Sequence, residues 1–157
     1  MPKSVSLFHQ GYVRNEKNYD LLKGFEAQNK AWRLMGLVVE DAGDDWVMLR
    51  LPFREDLVQV VGTVHGGFLA MLADSATATV LWPGLEDNQY AVTVDLKVTY
   101  FRPVLDSDVL ARSVVINRGA TTATVECALF DAQSEKQVAH AVAIYMIRTR
   151  PDPGKSK

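Results

Sequence analysis

Cysteine is nearly missing from this sequence: Cys127 is the single one among 157 residues. No disulfide can close within the chain, and a reducing cytoplasm is the expected setting. Histidine is almost as scarce, and His9, His65 and His140 stand too far apart for metal-ligand spacing, so no metal site is expected. An excess of one charge is lacking as well. Seventeen Lys and Arg (17) face 19 Asp and Glu, for a net charge of -2, and no basic stripe interleaves with aromatics, which argues against nucleic acid as a partner. The longest apolar run, around residues 68–82, is broken by Asp74 and is too short to span a bilayer. The opening MPKSVSLFHQGYVRNEKNYD has no apolar core of the kind a secretion signal needs. A soluble protein without membrane contact is expected.

What is present is ordinary globular material, 48% hydrophobic and 23% charged, at a length that suits one domain. Residues 1–18 are polar and aperiodic, and residues 151–157 are rich in Pro, Gly and Lys. Both ends read as tails, with one domain over residues 19–150.

Within it, Leu21, Leu22, Phe25, Trp32 and Met35 recur at helical spacing, predicting one helix over residues 19–35 that Gly24 weakens in the middle. Two short strands, residues 36–40 and 46–52, follow around a turn of Asp and Gly. Residues 68–82 are dense in Ala, Leu, Met and Val and are stopped by Pro83 and Gly84, which predicts a central helix. Residues 91–101 alternate, with Val92, Val94, Leu96, Val98 and Tyr100 on one face and Thr93, Asp95, Lys97 and Thr99 on the other. Three further strands, near 108–117, 121–131 and 137–148, are joined by short turns. The last four strands are expected to run as a meander. The order lacks a βαβαβ rhythm; an antiparallel sheet wrapped around one helix fits it.

Projected at about 100° per residue, the central helix is apolar all round, the pattern of a helix buried on every side. Asp74 is its one charge. Its neighbours on the wheel are the small residues Gly66, Gly67, Ala70, Thr77 and Ala78, whereas Phe68, Leu69, Leu72 and Val80 lie opposite. A buried carboxylate is costly without partners; taken alone, a structural hydrogen bond or ion pair is the readier explanation. Upstream, the glycines lead into a helix start whose N–H groups lack intrahelical partners and can hold an oxyanion. A tight turn explains the glycines equally well, and a cap or a packed ring explains His65.

The combination changes the balance. Through Gly62-Thr63-Val64-His65-Gly66-Gly67-Phe68-Leu69-Ala70-Met71-Leu72-Ala73-Asp74, and through residues 92–103, VTVDLKVTYFRP, the sequence resembles the hot-dog thioesterase superfamily, in its phenylacetate-pathway-like (PaaI-like) branch. The likeness spans roughly residues 30–148. It implies an α+β hot-dog fold, with about six antiparallel strands around one long helix and an extra N-terminal helix. It also implies hydrolysis of an acyl-CoA thioester, with CoA part of the substrate and no cofactor. Asp74 would act as general base or nucleophile and the Gly66 N–H would polarise the carbonyl. Gln59 stands where the family often has Asn or Gln near the reacting carbonyl or its water, and Thr93 where related enzymes orient water with a hydroxyl. His65 belongs to the same element, and Gly67 and Phe68 are the substrate-contacting positions beside it.

Gly66 and Asp74 stand eight positions apart, roughly 12 Å along a helix at about 1.5 Å per residue. Since reacting groups must close to about 3 to 3.5 Å, one helix cannot easily supply both. Two helices running antiparallel about a twofold axis can, so a homodimer or a dimer of dimers is expected. Arg102 and Arg118 are candidate phosphate contacts for CoA, with solvated surface arginines the plainer alternative. Phe68, Leu72 and the N-terminal helix would line the acyl pocket.

Rival functions are a non-catalytic acyl-CoA binding or sensing module and a hot-dog hydratase or dehydratase, the latter weakened because no histidine follows Asp74 in the helix. A serine hydrolase is disfavoured, because Ser75 has no Gly-x-Ser-x-Gly elbow.

Overall fold

A computed structural model describes residues 11–151; His9, most of the predicted N-terminal tail and residues 152–157 of the C-terminal one lie outside the described residues. The first helix, α1 (Glu16–Gln28), starts ahead of the boundary drawn at residue 19, because Asn15 caps it by accepting from the Asn18 N–H. Gly24 does not interrupt it. The predicted helix breaks instead at Asn29, whose backbone is extended and whose side chain accepts from the Trp32 N–H to start α2 (Lys30–Met35). Gly36, left-handed at φ 74°, ends α2, a conformation that costs a side chain more than it costs glycine. Asn29→Ala is expected to lower stability by about 1 kcal/mol, the worth of such a cap, read from the denaturant midpoint.

Strands β1 (Val38–Ala42) and β2 (Trp46–Leu51) form the expected hairpin. Helix α3 (Gly66–Thr79) comes next, beginning two residues earlier than its apolar run because His65 is its N-cap. Strands β3 (Gln89–Tyr100), β4 (Val109–Arg118), β5 (Thr122–Asp131) and β6 (Gln137–Thr149) complete the chain. All pairings are antiparallel in one six-stranded sheet of order β1-β2-β4-β5-β6-β3. Helix α3 packs on β2 through β6, which is the hot-dog arrangement.

The meander over the last four strands is therefore corrected. Only β4, β5 and β6 run as one, and β3 crosses over to pair with β6 at the sheet edge. The link after β3 is no hairpin. It turns away at Phe101 and Arg102, whose N–H groups both reach the Val138 carbonyl, and drops Val104 into the core.

A bulge gives β3 a second correction. Thr93 pairs with Tyr145 and Asp95 with Ile144, leaving Val94 as an extra residue. The period of two is thereby reset. Ahead of Val94 the odd positions face the helix, and beyond it Leu96, Val98 and Tyr100 do. Thr93 thus shares the inner face with the residues that strict alternation placed opposite it.

The core lies between α3 and the concave face of the sheet, with Leu72, Ala73, Ala76, Val47, Leu49, Val125 and Leu129 all sealed from solvent. Helix α1 packs on β1 and contributes Leu22. Among the described residues no helix is long and apolar enough to cross a membrane.

Candidate active site

The predicted burial of α3 on all sides is not met within one chain. Leu69, Leu72, Ala73, Ala76, Thr77 and Thr79 are buried, but the face carrying Gly67, Ala70, Met71, Asp74, Ser75 and Ala78 is partly or fully exposed. It opens beside β3, whose Val92, Val94 and Tyr100 are 46%, 59% and 50% exposed. As the last strand of the sheet, β3 has no neighbour on its far side among the described residues.

Asp74 sits midway along this face. Its Oδ1 accepts from the Thr93 hydroxyl at 2.9 Å and from the Tyr145 hydroxyl at 3.3 Å. Among the described residues neither a hydrogen bond nor an ion pair engages Oδ2. The carboxylate is therefore held by neutral donors on one oxygen: of the two plain explanations its position in an apolar helix left open, the hydrogen bond is present and the ion pair is absent among the described residues. Thr93 reaches it because of the bulge. Tyr145 reaches it from β6, where its ring is fully buried. Burial pushes the Tyr145 hydroxyl up to about 12, and the Asp74 charge adds to the rise, so this group stays protonated, a donor, at neutral pH.

Sequence reasoning missed Tyr145. A buried tyrosine needs a partner for its hydroxyl, but nothing in the sequence says that the partner stands 71 residues away. Thr77 was placed near Asp74 on the wheel, yet it points inward and meets Tyr145 at 2.8 Å.

A second group of predicted residues gathers at the start of α3. The Gly66 carbonyl accepts from the Tyr100 hydroxyl at 2.9 Å, while the Gly66 N–H has no acceptor among the described residues. Gln59 donates through Nε2 to the Thr63 hydroxyl at 3.0 Å and lines, with Gly66, Tyr100 and Arg102, a cavity of about 320 Å³. His65 is occupied as a cap: its Nδ1 accepts from the Gly67 N–H at 2.9 Å. The neutral ring then carries its proton on Nε2. Phe68 is half-buried against the His65 ring, at 6.0 Å between centroids.

The two arginines part company. Arg102 lies by the Gly66 cavity and donates to the Gln137 carbonyl at 2.6 Å. Arg118 lies at the other end of α3, donates to the Leu81 carbonyl at 2.5 Å and covers Gly84 so closely that a Cβ there would meet its guanidinium. The acyl pocket drawn around Phe68 and Leu72 is also corrected, since Leu72 is completely buried in the core. A groove of about 850 Å³ runs along α1 past Leu21, Gly24, Phe25 and Trp82 and is lined by neither residue. Cys127 offers no nucleophile, because burial pushes its thiol up to about 12.

Asp74 and Gly66 thus place two features on one helix, a partly exposed carboxylate and an N–H without an acceptor among the described residues. Residues 61–138 match the family model described as Thioesterase superfamily. A candidate esterase of Halobacterium salinarum is 32% identical over 111 residues, 68% of this chain and 73% of that relative. Acyl-coenzyme A thioesterase 13 of Homo sapiens is 25% identical over 122 residues, 76% of this chain and 86% of the relative. Among solved structures, the PaaI protein of the E. coli phenylacetic acid degradation operon shares the fold, with a TM-score of 0.76 at 17% identity over 85% of this chain and 95% of that one.

Proposed function

The chain belongs to the thioesterase superfamily, and from that premise we propose that it hydrolyses acyl-CoA thioesters to free acid and CoA in sites built by two copies of itself. The observation that carries this reading is a carboxylate on an open helix face, held on one oxygen by Thr93 and Tyr145 and, among the described residues, without a partner on the other. Relatives named as an acyl-CoA thioesterase and as candidate esterases support the reaction class.

In the general-base route, Oδ2 takes a proton from water as the water oxygen bonds to the acyl carbon. The negative charge collecting on the carbonyl oxygen falls to the Gly66 N–H at the positive end of α3. The C–S bond then breaks with its electron pair on sulfur, and the proton held by Asp74 passes to that thiolate, releasing CoA and the acid. In the nucleophile route, Oδ2 bonds directly to the acyl carbon, CoA thiolate leaves, and water opens the resulting anhydride. Gln59 is the amide beside the reacting carbonyl or its water, and Thr93 steadies the acid. His65, Gly67 and Phe68 shape the entry to α3. Arg102, at the Gly66 end, is positioned to meet a CoA phosphate; Arg118 would do so only by releasing the Leu81 carbonyl.

The roughly 12 Å between Gly66 and Asp74 is bridged when a second copy sets its own α3 start beside Asp74. The unpaired edge of β3 and its exposed Val92, Val94 and Tyr100 favour such an association, because a long open edge invites pairing. We propose such a dimer, alone or paired into a dimer of dimers, in the reducing cytoplasm that a single cysteine suits.

The test is a panel of acetyl, medium-chain, phenylacetyl and benzoyl CoA esters with released thiol measured. Turnover of at least one is expected. Binding of these esters by calorimetry with no thiol released from any would replace the enzyme by a binding module.

A further inference from the structure

The two oxygens of Asp74 are not equivalent, and the difference is built from β6. Oδ1 faces Thr93 on the exposed side and the Tyr145 hydroxyl on the buried side, whereas Oδ2 has no partner among the described residues. We propose that Tyr145 is a positioning residue, whose hydroxyl locks Oδ1 from behind and so presents Oδ2 as the oxygen that reacts. This rests on Asp74 being the reacting acid, in either route.

The choice of acceptor explains why the lock points outward. Thr77 Oγ1 lies 2.9 Å from the Ala73 carbonyl and 2.8 Å from the Tyr145 oxygen. Each hydroxyl has one proton. If Thr77 gives its proton to Tyr145, the tyrosine proton is left with only the carbonyl of Asp74, 3.1 Å away, or its Oδ1. The helix carbonyl already serves the backbone, and an anionic oxygen is the stronger acceptor. The reverse order, Tyr145 to Thr77 to the Ala73 carbonyl, also satisfies both hydroxyls; it is the anionic acceptor that favours the outward order, Thr77 to Tyr145 to Oδ1. At 3.3 Å the last link is long, as catalytic hydrogen bonds often are before substrate binds. The ring itself is fixed by complete burial and by direct pairing with Thr93 across the β3–β6 ladder. Both donors to Oδ1 therefore come from one cross-strand pair, which sets the carboxylate plane against a rigid sheet and not against a loop. Orientation of this kind acts on the chemical step, since the acid must be aligned with a proton or an acyl carbon within a narrow range.

The experiment uses the full chain and the best ester of the panel. Tyr145→Phe keeps the ring and removes the hydroxyl; kcat is expected to fall about tenfold, as for loss of a hydrogen bond to a charged group, with KM within about twofold of the native value. Thr77→Val, which keeps the shape of the side chain, is expected to lower kcat in the same direction by a smaller factor. In an Asp74→Asn background Tyr145→Phe should cost nothing further, because the oxygen it orients no longer reacts. A packing role would slow that background too and would move KM. Native kcat in both Tyr145→Phe and Thr77→Val, alongside an inactive Asp74→Asn, overturns the positioning role and leaves the acid in place. An active Asp74→Asn instead overturns the reading of Asp74 itself.

Discussion

Asp74→Asn should lower kcat by about two to four orders of magnitude, the range that a positioned general base contributes, while the melting temperature changes little. The amide has the shape of the carboxylate and can still accept from Thr93 and Tyr145 through its oxygen. Its nitrogen, however, can neither take a proton from water nor attack a carbonyl carbon. Because the native carboxylate makes no ion pair among the described residues, no buried cation is left stranded by the change, which is why stability should hold. Loss of rate with KM preserved is the expected signature; equal rates would remove Asp74 from the chemistry.

Gly66→Pro should come close to the same loss, about two to three orders of magnitude in kcat, the worth of one oxyanion donor. Proline deletes the one N–H in question and little else. Gly66 is the first residue of α3, where proline is well tolerated because the N–H has no intrahelical partner. His65 before it is extended, at φ -63° and ψ 129°, the conformation a residue ahead of proline adopts. A Cβ at Gly66 would stand 3.4 Å from the Tyr100 ring, so the ring must give slightly, and Gly66→Ala, which keeps the N–H, controls for that contact. Mixing and refolding the Gly66→Pro and Asp74→Asn chains separates a shared site from a private one. If each site takes its acid from one copy and its N–H from the other, equal mixing makes about half of the dimers heterodimers, each with one intact site, and recovers about a quarter of native activity. No recovery would place both groups within one chain's own site.

Much of this was legible before any coordinates. The Asp and Gly turn between β1 and β2, the apolar density of α3 and the short turns around β5 are local signals, and local signals decide elements. The partner of β3 is not local: β4 follows β3 in the chain, yet β6 pairs with it, and the N–H groups of Phe101 and Arg102 extend that pairing to Val138. Asn29 could have been suspected as a break, being both a poor helix former and a good cap, but Gly24 drew the suspicion and sits harmlessly within α1. Around α3, Asp74 and Gly66 stand out through their motif, and Gln59 only through the family resemblance. Leu72 did not belong to a pocket because the wheel shows which residues share a side of a helix, not which side the sheet covers. Tyr145 had no signal at all, since its meaning comes from what folds against it.

The extra residue at Val94 lets one strand keep two phases. Without it, the side chain aligned with Leu96 and Val98 at the level of Tyr145 would be Val94 itself, and the acid would face a hydrocarbon. Inserting a single position turns the first half of the ribbon over, so that its row with Ala91 and Thr93 meets the helix while the greasy row of the second half stays on the same floor. The bond from Thr93 to the acid has thus been obtained by counting, through the length of a segment, without exchanging any of the neighbours that hold the layer together.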